Sequence, residues 1–268
     1  MKVPAHHDPE KFAARFTLLR RKKGNRLILA TPFLFAKHAR SPVERRSLST
    51  EVANARAAGK MMFWSDIALG LRRIWPSFAL SARMRPATLE DHAALAHLND
   101  RLLQRAVACP AVPMHDFIAP LRAMAHVAPE ACREEMLREV APYSLPRTGM
   151  HGDFHLYNFV RRRRGGYLLT DWEHFDAAGS FAFDYMNFFL SQDRWNSGES
   201  FAEFLSGLSP ETPAIARAAR EFGVSARALL MYYSLMRIEV MIARADAGPI
   251  KGKRRAELLR VVEKACRA

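Results

Sequence analysis

The sequence predicts an α+β protein of two lobes, a small β-rich lobe followed by a larger, mainly helical one. Two apolar or β-leaning runs, Phe16–Arg21 and Arg26–Ala30, flank the turn signal Lys22-Lys23-Gly24-Asn25, which is typical of a β-hairpin. From Thr88 onward the patterns are mostly helical. A short β-like island at residues 148–171 interrupts the helices.

The amino-terminal lobe is predicted to hold a third strand, a helix and a further strand. Phe33–His38 follows the break at Thr31-Pro32 and has a strand pattern. Glu44–Ala58 contains strong helix formers, and Gly59 gives a helix stop signal. Phe78–Met84 is the next predicted strand, and we interpret Arg85-Pro86 as a connector to the second lobe.

We place the two lobes at residues 1–86 and 87–268. The segment Ala226–Ala245 is apolar nearly all round, which predicts a buried helix. Helices are predicted in the second lobe at Thr88–Arg105, Met114–Ala125, Pro129–Val140, Glu199–Leu205, Glu211–Phe222, Ala226–Ala245 and Arg254–Arg267.

Composition is that of a globular protein with an excess of positive charge. The chain of 268 residues is 49% hydrophobic and 25% charged, and its formal net charge is +14. Residues 1–60 hold fourteen Lys and Arg against four Asp and Glu. Such an excess favours anionic partners or an anionic membrane surface, with a solvated basic face as the alternative. No nucleic-acid recognition motif accompanies the charge, so we expect no sequence-specific nucleic-acid partner.

Other sequence features indicate a cytoplasmic location. No run of about 18 apolar residues is present, and the first residues do not have the pattern of a signal peptide. Three scattered cysteines, without metal-like spacing, are interpreted as reduced thiols. We therefore expect a cytoplasmic protein, with peripheral contact at the inner membrane face as an option that follows from its charge.

The segment HGDFHLYNF, His151 to Phe159, carries the polar residues that point to chemistry. It precedes a predicted hairpin, Phe159–Arg162 and Tyr167–Thr170, which runs into Asp171. Asp153, Asn158 and Asp171 should therefore converge around one turn. Their oxygen atoms are ligands that suit Mg²⁺ beside phosphates. A zinc site built from His151, Asp153 and His155 is a weaker alternative.

These residues resemble the kinase-like phosphotransferases, in particular aminoglycoside phosphotransferases, choline kinases and related small-molecule kinases. HGDFHLYN matches an H-x-D-x-x-x-x-N catalytic loop, in the H-G-D form with a second histidine at His155. LLTDWEHF, Leu168–Phe175, resembles the metal-binding strand end of the family, and Phe183-Asp184-Tyr185 resembles its later aspartate. The order and spacing agree, which implies a bilobal protein-kinase-like fold.

The resemblance implies a role for each matched residue. Asp153 would be the catalytic base that accepts or orients the acceptor hydroxyl. Asn158 and Asp171 would hold Mg²⁺ on the phosphates of ATP, with Glu173 as a further metal or supporting ligand. The support of the catalytic loop would come from His151, His155 and Asp184.

In the first lobe the resemblance is less specific. Lys37, on the third strand, resembles the lysine that holds the nucleotide phosphates, and Glu51 resembles its ion-pair partner. A solvated strand lysine is the alternative interpretation of Lys37. The chain departs from many kinases at Lys22-Lys23-Gly24-Asn25, where a single glycine stands in place of a Gly-rich loop.

The predicted function is a Mg²⁺-dependent, ATP-dependent phosphotransferase acting on a hydroxyl of a non-protein acceptor. Because the chain is basic, the preferred acceptor is a sugar of an anionic envelope glycan or glycolipid, as in lipopolysaccharide biosynthesis. The alternatives are a kinase of a soluble metabolite, a kinase of an aminoglycoside-type antibiotic, and a nucleotide-binding pseudokinase that regulates a partner. A protein kinase is disfavoured because no long segment ending in A-P-E follows Asp171.

Overall fold

The computed structural model describes residues 19–23, 26–30, 34–82, 84–127, 130–162, 165–197, 201–243 and 249–267. Its strands are β1 Leu19–Lys23, β2 Arg26–Ala30, β3 Leu34–His38, β4 Arg72–Trp75, β5 Phe78–Ala82, β6 Arg85–Pro86, β7 Ala111–Pro113, β8 Ser144–Pro146, β9 Phe159–Arg161 and β10 Tyr167–Leu169. Its α-helices are α1 Pro42–Lys60, α2 His92–Val107, α3 Met114–Ile118, α4 Glu130–Val140, α5 Phe181–Ser197, α6 Phe201–Ser206, α7 Pro213–Phe222, α8 Ala226–Ala243 and α9 Pro249–Arg267.

These residues divide into two compact units. The first contains the described residues up to Leu95 together with residues 156–177. The second contains residues 96–155 and the described residues from Ala178 onward. A β-rich and a mainly helical part are present, so the α+β class is confirmed. The lobe boundary between residues 86 and 87 stays a prediction, and the β9–β10 hairpin lies in the first unit.

The first unit is built on a five-stranded antiparallel sheet of order β1-β2-β3-β5-β4. The predicted hairpin is confirmed in β1 and β2, but Lys22 and Lys23, predicted in its turn, belong to β1, where Lys23 is opposite Arg26. Residues 16–18 and the turn residues 24–25 lie outside the described residues. Strand β3 occupies the centre of the sheet, where Lys37 is opposite Ile28 on one side and Ala79 on the other.

Helix α1 starts with a capping box. The Ser41 hydroxyl accepts a bond from the Glu44 backbone N–H at 3.3 Å, and the Glu44 carboxylate accepts one from the Ser41 N–H at 3.1 Å. The predicted helix at 44–58 is confirmed, but it runs on to Lys60, so the stop predicted at Gly59 is wrong. A buried cluster joins α1 to the sheet: Ala39, Leu48, Val52, Leu71 and Ala79.

Two other sequence expectations are corrected. The connector Arg85-Pro86 is a short strand, β6, that pairs with β9, with Arg85 opposite Arg161. The helix predicted at Met114–Ala125 is two pieces, α3 and a 3₁₀ turn at Arg122–His126. Pro120 separates them because proline has no N–H for the helical ladder and its ring clashes with the preceding turn.

The second unit is a helical body with a small β7–β8 pair that the sequence analysis did not predict. Helix α8 is buried over most of its length, as predicted, from Ala228 to Val240. The Tyr233 ring of α8 stacks on Phe183 of α5, with centroids 5.4 Å apart. No described helix combines the length and the hydropathy of a membrane-spanning segment.

Candidate active site

Lys37 lies in the centre of the sheet and is buried, with 7% of its surface exposed. Its ammonium group contacts the carboxylates of Glu51 and Asp171, the second with an Nζ–Oδ1 distance of 3.1 Å. Burial disfavours the ammonium form, but these two carboxylates outweigh burial and raise the pKa of Lys37 above its ordinary value. The solvated-lysine interpretation is therefore wrong, because this side chain is a fixed, buried cation.

Glu51 lies on the buried face of α1. It follows Leu48 by three residues and precedes Ala55 by four, and both are buried at the helix–sheet contact. The Glu51 side chain is fully buried, so its carboxylate needs a cationic partner, and Lys37 supplies one. The predicted ion pair between Lys37 and Glu51 is present in the first unit.

Asp171 has an unusual backbone conformation. It follows β10 with φ 66° and ψ 49°, and it is the only non-glycine with positive φ among the residues that the structure describes. Such a conformation is uncommon outside glycine and persists where the surroundings impose it. The next residue, Trp172, is fixed on both sides: its indole N–H donates to the Leu169 carbonyl, and its own carbonyl accepts from the Asn54 side chain of α1, both at 2.9 Å.

Asn158 is buried and immediately precedes β9. Its carbonyl accepts two bonds from Thr170, from the N–H at 2.8 Å and from the hydroxyl at 2.9 Å. The β9–β10 hairpin thus brings Asn158 beside the residue that precedes Asp171. The predicted convergence of Asp153, Asn158 and Asp171 around one turn stays a prediction.

Glu173 is held by its neighbours in the first unit. Its Oε2 accepts a hydrogen bond from the Ser47 hydroxyl of α1 at 2.8 Å, and its Oε1 lies 3.5 Å from His174 Nε2. A carboxylate already bonded in this way suits a supporting position beside the oxygen donors of Asn158 and Asp171. Hard oxygen donors are the ligands that Mg²⁺ prefers, so the donor set fits this ion.

The zinc alternative gains no support. Within the described ranges, which include His151, Asp153 and His155, no group of three or more His, Cys, Asp or Glu side chains is placed to bind a metal. The proposed Mg²⁺ ligands of the first unit are the carboxylates of Asp171 and Glu173 and the side chain of Asn158, whose amide oxygen is a ligand for hard cations.

In the second unit, Asp184 holds the backbone that leads to Asp153. Its two carboxylate oxygens accept from the backbone N–H groups of His151 at 2.6 Å and Gly152 at 3.0 Å. Gly152 has φ 81°, a conformation that glycine adopts without steric cost. Burial raises the pKa of Asp184 to about 8 despite these two donors, and the nearby Asp153 carboxylate adds to the rise.

His151 and His155 flank Asp153 and contact it in different ways. The buried His151 accepts a bond from the Asp153 backbone N–H at its Nδ1, at 3.2 Å. An accepting Nδ1 carries no proton, so His151 in this contact is the neutral tautomer protonated at Nε2. His155 Nε2 lies 3.5 Å from Asp153 Oδ2. The Asp153 side chain is 18% exposed, which leaves its carboxylate accessible from solvent.

The structure therefore assembles the predicted residues as two groups. In the first unit Lys37 contacts Glu51 and Asp171, while Asn158 bonds to Thr170 and Glu173 to Ser47; the second unit brings together His151, Asp153, His155 and Asp184. Three side chains that hold these residues were not predicted from the sequence: Ser47, Asn54 and Asn187. For Asn187 a signal existed, since it lies one helical turn after Asp184.

Comparison with solved structures shows the fold. The chain is similar to the choline kinase LicA from Streptococcus pneumoniae, with a TM-score of 0.56, 9% identity, and coverage of 95% of this chain and 97% of that one. It is similar to the aminoglycoside phosphotransferase APH(4)-Ia, with a TM-score of 0.55, 13% identity and coverage of 97% of each chain. It is also similar to APH(2")-IIa, solved with streptomycin and ATP. The TM-score is 0.51, the identity is 13%, and the alignment covers 100% of this chain and 98% of that one.

No family model matches the sequence, and a search of curated proteins found no match. The protein-kinase-like fold predicted from the motifs is confirmed by the solved structures. This is the fold of choline kinases and aminoglycoside phosphotransferases, and at 9–13% identity the similarity is one of fold.

Proposed function

We propose that this protein is an ATP-dependent phosphotransferase that moves the γ-phosphate to a hydroxyl of a non-protein acceptor. The observation that carries the proposal is the buried ammonium of Lys37, which is held by Glu51 and Asp171. Such a cation, fixed in the centre of a sheet, suits the phosphates of a nucleotide. The fold of ATP-bound APH(2")-IIa supports the same interpretation.

The oxygen donors of Asn158 and Asp171 would hold Mg²⁺, with Glu173 in support. When bound, Mg²⁺ neutralises charge on the phosphate oxygens. Lys37 interacts with Asp171 through its ammonium and so keeps the aspartate carboxylate in one orientation. The left-handed backbone of Asp171, fixed by the buried Trp172, gives that carboxylate little freedom to move.

Asp153 would accept or orient the proton of the acceptor hydroxyl. Its backbone is fixed on the amino-terminal side by Asp184 and His151, so its side chain is presented from a rigid loop. Phosphoryl transfer requires little covalent chemistry from the protein, and alignment of the nucleophile supplies much of the rate. A fixed and accessible carboxylate meets this requirement.

For the acceptor, we propose a sugar hydroxyl of an anionic envelope glycan or glycolipid. The formal charge of +14 motivates this choice. The first unit adds a local observation, since all exposed charged side chains of helix α1 are basic and its one fully buried acid is Glu51. Its exposed basic residues are Arg45, Arg46, Arg56 and Lys60. Such a surface attracts anions and an anionic membrane face.

The test uses γ-labelled ATP, Mg²⁺ and two acceptor pools, polar metabolites and envelope glycolipid from one cell extract. A panel of aminoglycosides forms a third arm. Asp153→Asn is the inactive variant, and Asp116→Asn, an exposed aspartate of α3, is its matched control. We expect label in the glycolipid pool with the wild type and the control, and at least a hundredfold less with Asp153→Asn.

Each other outcome has a definite meaning. Label only in the metabolite pool or only on an aminoglycoside would keep the kinase and replace the acceptor. Transfer by Asp153→Asn at the wild-type rate would reject the assigned role of Asp153. MgATP binding without transfer to any of the three pools would favour the pseudokinase.

A further inference from the structure

Helix α5 places two buried polar side chains on one face, Asp184 and Asn187. They are three positions apart in the chain, which puts them on adjacent turns. Asp184 accepts from the N–H groups of His151 and Gly152, and the Asn187 side-chain amide donates to the carbonyl of Phe154 at 3.0 Å. The same helix thus holds the backbone on both sides of Asp153.

The Phe154 side chain adds a second attachment at the same point. Its ring is fully buried and makes edge-to-face contacts with Phe181 at 5.6 Å, Phe188 at 6.0 Å and His151 at 6.3 Å between centroids. Two of these partners, Phe181 and Phe188, belong to α5. The residue after Asp153 is therefore fixed by its ring as well as by its carbonyl.

Burial of the Asn187 amide at this position is unfavourable for the free energy of folding. The residue is 1% exposed, and its Oδ1 is a buried oxygen with no hydrogen-bond partner among the described residues. A buried amide with one half unsatisfied is less favourable for folding than an apolar side chain of similar size. The described contact that uses its polarity is the bond to Phe154, which points to a role in shaping the loop.

We propose that Asn187 is a positioning residue for Asp153, and this inference deepens the proposed phosphotransferase function on which it rests. Asp184 sets the entry to the loop, and Asn187 sets its exit. The carboxylate of Asp153 is then aimed by backbone contacts on both sides, so a loss of either contact lowers turnover without changing the nucleotide site. The nucleotide-binding residues lie in the first unit, whereas Asn187 and Phe154 belong to the second.

The test compares Asn187→Leu with Asn99→Leu. Asn99 is a matched control because it is also fully buried and its amide also donates to a backbone carbonyl of α5, that of Tyr185 at 3.5 Å. We expect Asn187→Leu to lower kcat by about ten- to a hundredfold and to leave the Kd for MgATP within about twofold. Asn99→Leu should keep its kcat within about twofold of the wild type.

A second readout does not depend on activity. Amide hydrogen exchange of residues 151–155 should be about tenfold faster or more in Asn187→Leu and unchanged in Asn99→Leu. Unchanged exchange in a folded Asn187→Leu variant would overturn the positioning role, whether or not the wild type transfers phosphate. A wild type that transfers to no acceptor, combined with faster exchange in Asn187→Leu, would refute the proposed function and leave the loop contact supported.

Discussion

The Lys37 ammonium and the Asp171 carboxylate are 134 positions apart in the chain and 3.1 Å apart in space. The contact joins the central strand β3 to Asp171, two positions after the end of the β9–β10 hairpin. Glu51, from helix α1, completes the arrangement. Three elements of the first unit therefore meet at one cation, and the charge of Lys37 has consequences for both stability and nucleotide binding.

Replacing Lys37 should cost stability because Glu51 would keep a buried charge. We expect Lys37→Met to lower the free energy of unfolding by about 3–5 kcal/mol and to abolish MgATP binding. The double variant Lys37→Met/Glu51→Leu should regain most of this stability, since both charges are gone, but not the binding. Urea unfolding measures the first effect and calorimetric titration with MgATP the second.

Lys60→Met is the matched control, because Lys60 is an exposed lysine at the end of α1. It should change the free energy of unfolding by less than about 0.5 kcal/mol. A double variant that recovered nucleotide binding would contradict the assignment of Lys37 to the phosphates.

Asp171→Asn should remove the charge of this side chain while keeping the local backbone conformation. Asparagine tolerates the left-handed conformation and keeps an oxygen for Lys37, so we expect a stability close to that of the wild type. The charge is lost, so Mg²⁺-dependent nucleotide affinity should fall at least about tenfold. Titrations with and without Mg²⁺ measure it, and Asp176→Asn, an exposed position five residues on, serves as control. If Mg²⁺ increased the nucleotide affinity of the two variants by the same factor, the assignment of Asp171 as a Mg²⁺ ligand would be wrong.

The buried Asp184 should make stability depend on pH. Its pKa is raised from 3.8 to about 8, so the folded protein keeps a proton that the unfolded chain releases above pH 4. Stability from this group is therefore fully present below pH 4 and decreases as pH rises toward 8. The slope should be at most about 1.4 kcal/mol per pH unit.

Urea unfolding between pH 5 and 8 checks this expectation against Asp184→Asn, which cannot titrate at this position. The variant should be less stable by about 1–3 kcal/mol, because its amide offers one oxygen to two backbone donors. Its stability should also fall less steeply with pH than that of the wild type. Parallel curves for the two proteins would show that Asp184 is already ionised in the folded state at pH 5.

Local sequence signals predicted much of the secondary structure. The strong helix formers of Glu44–Ala58 predicted helix α1, and the strand patterns of Phe159–Arg162 and Tyr167–Thr170 predicted the β9–β10 hairpin. The helix predicted through Pro120 was wrong because the apolar pattern continued past a residue that cannot join the helical ladder.

The residue types of the candidate site and their order along the chain can be predicted without the structure. The spacing of Asp153, Asn158 and Asp171 is a property of the chain, and a nine-residue motif with a hairpin is enough to reveal it. The burial of the Lys37 cation between two carboxylates and the bond from Asn187 to the Phe154 carbonyl became visible only in the folded chain. Burial and partner choice depend on packing between residues far apart in the chain, which local patterns do not encode.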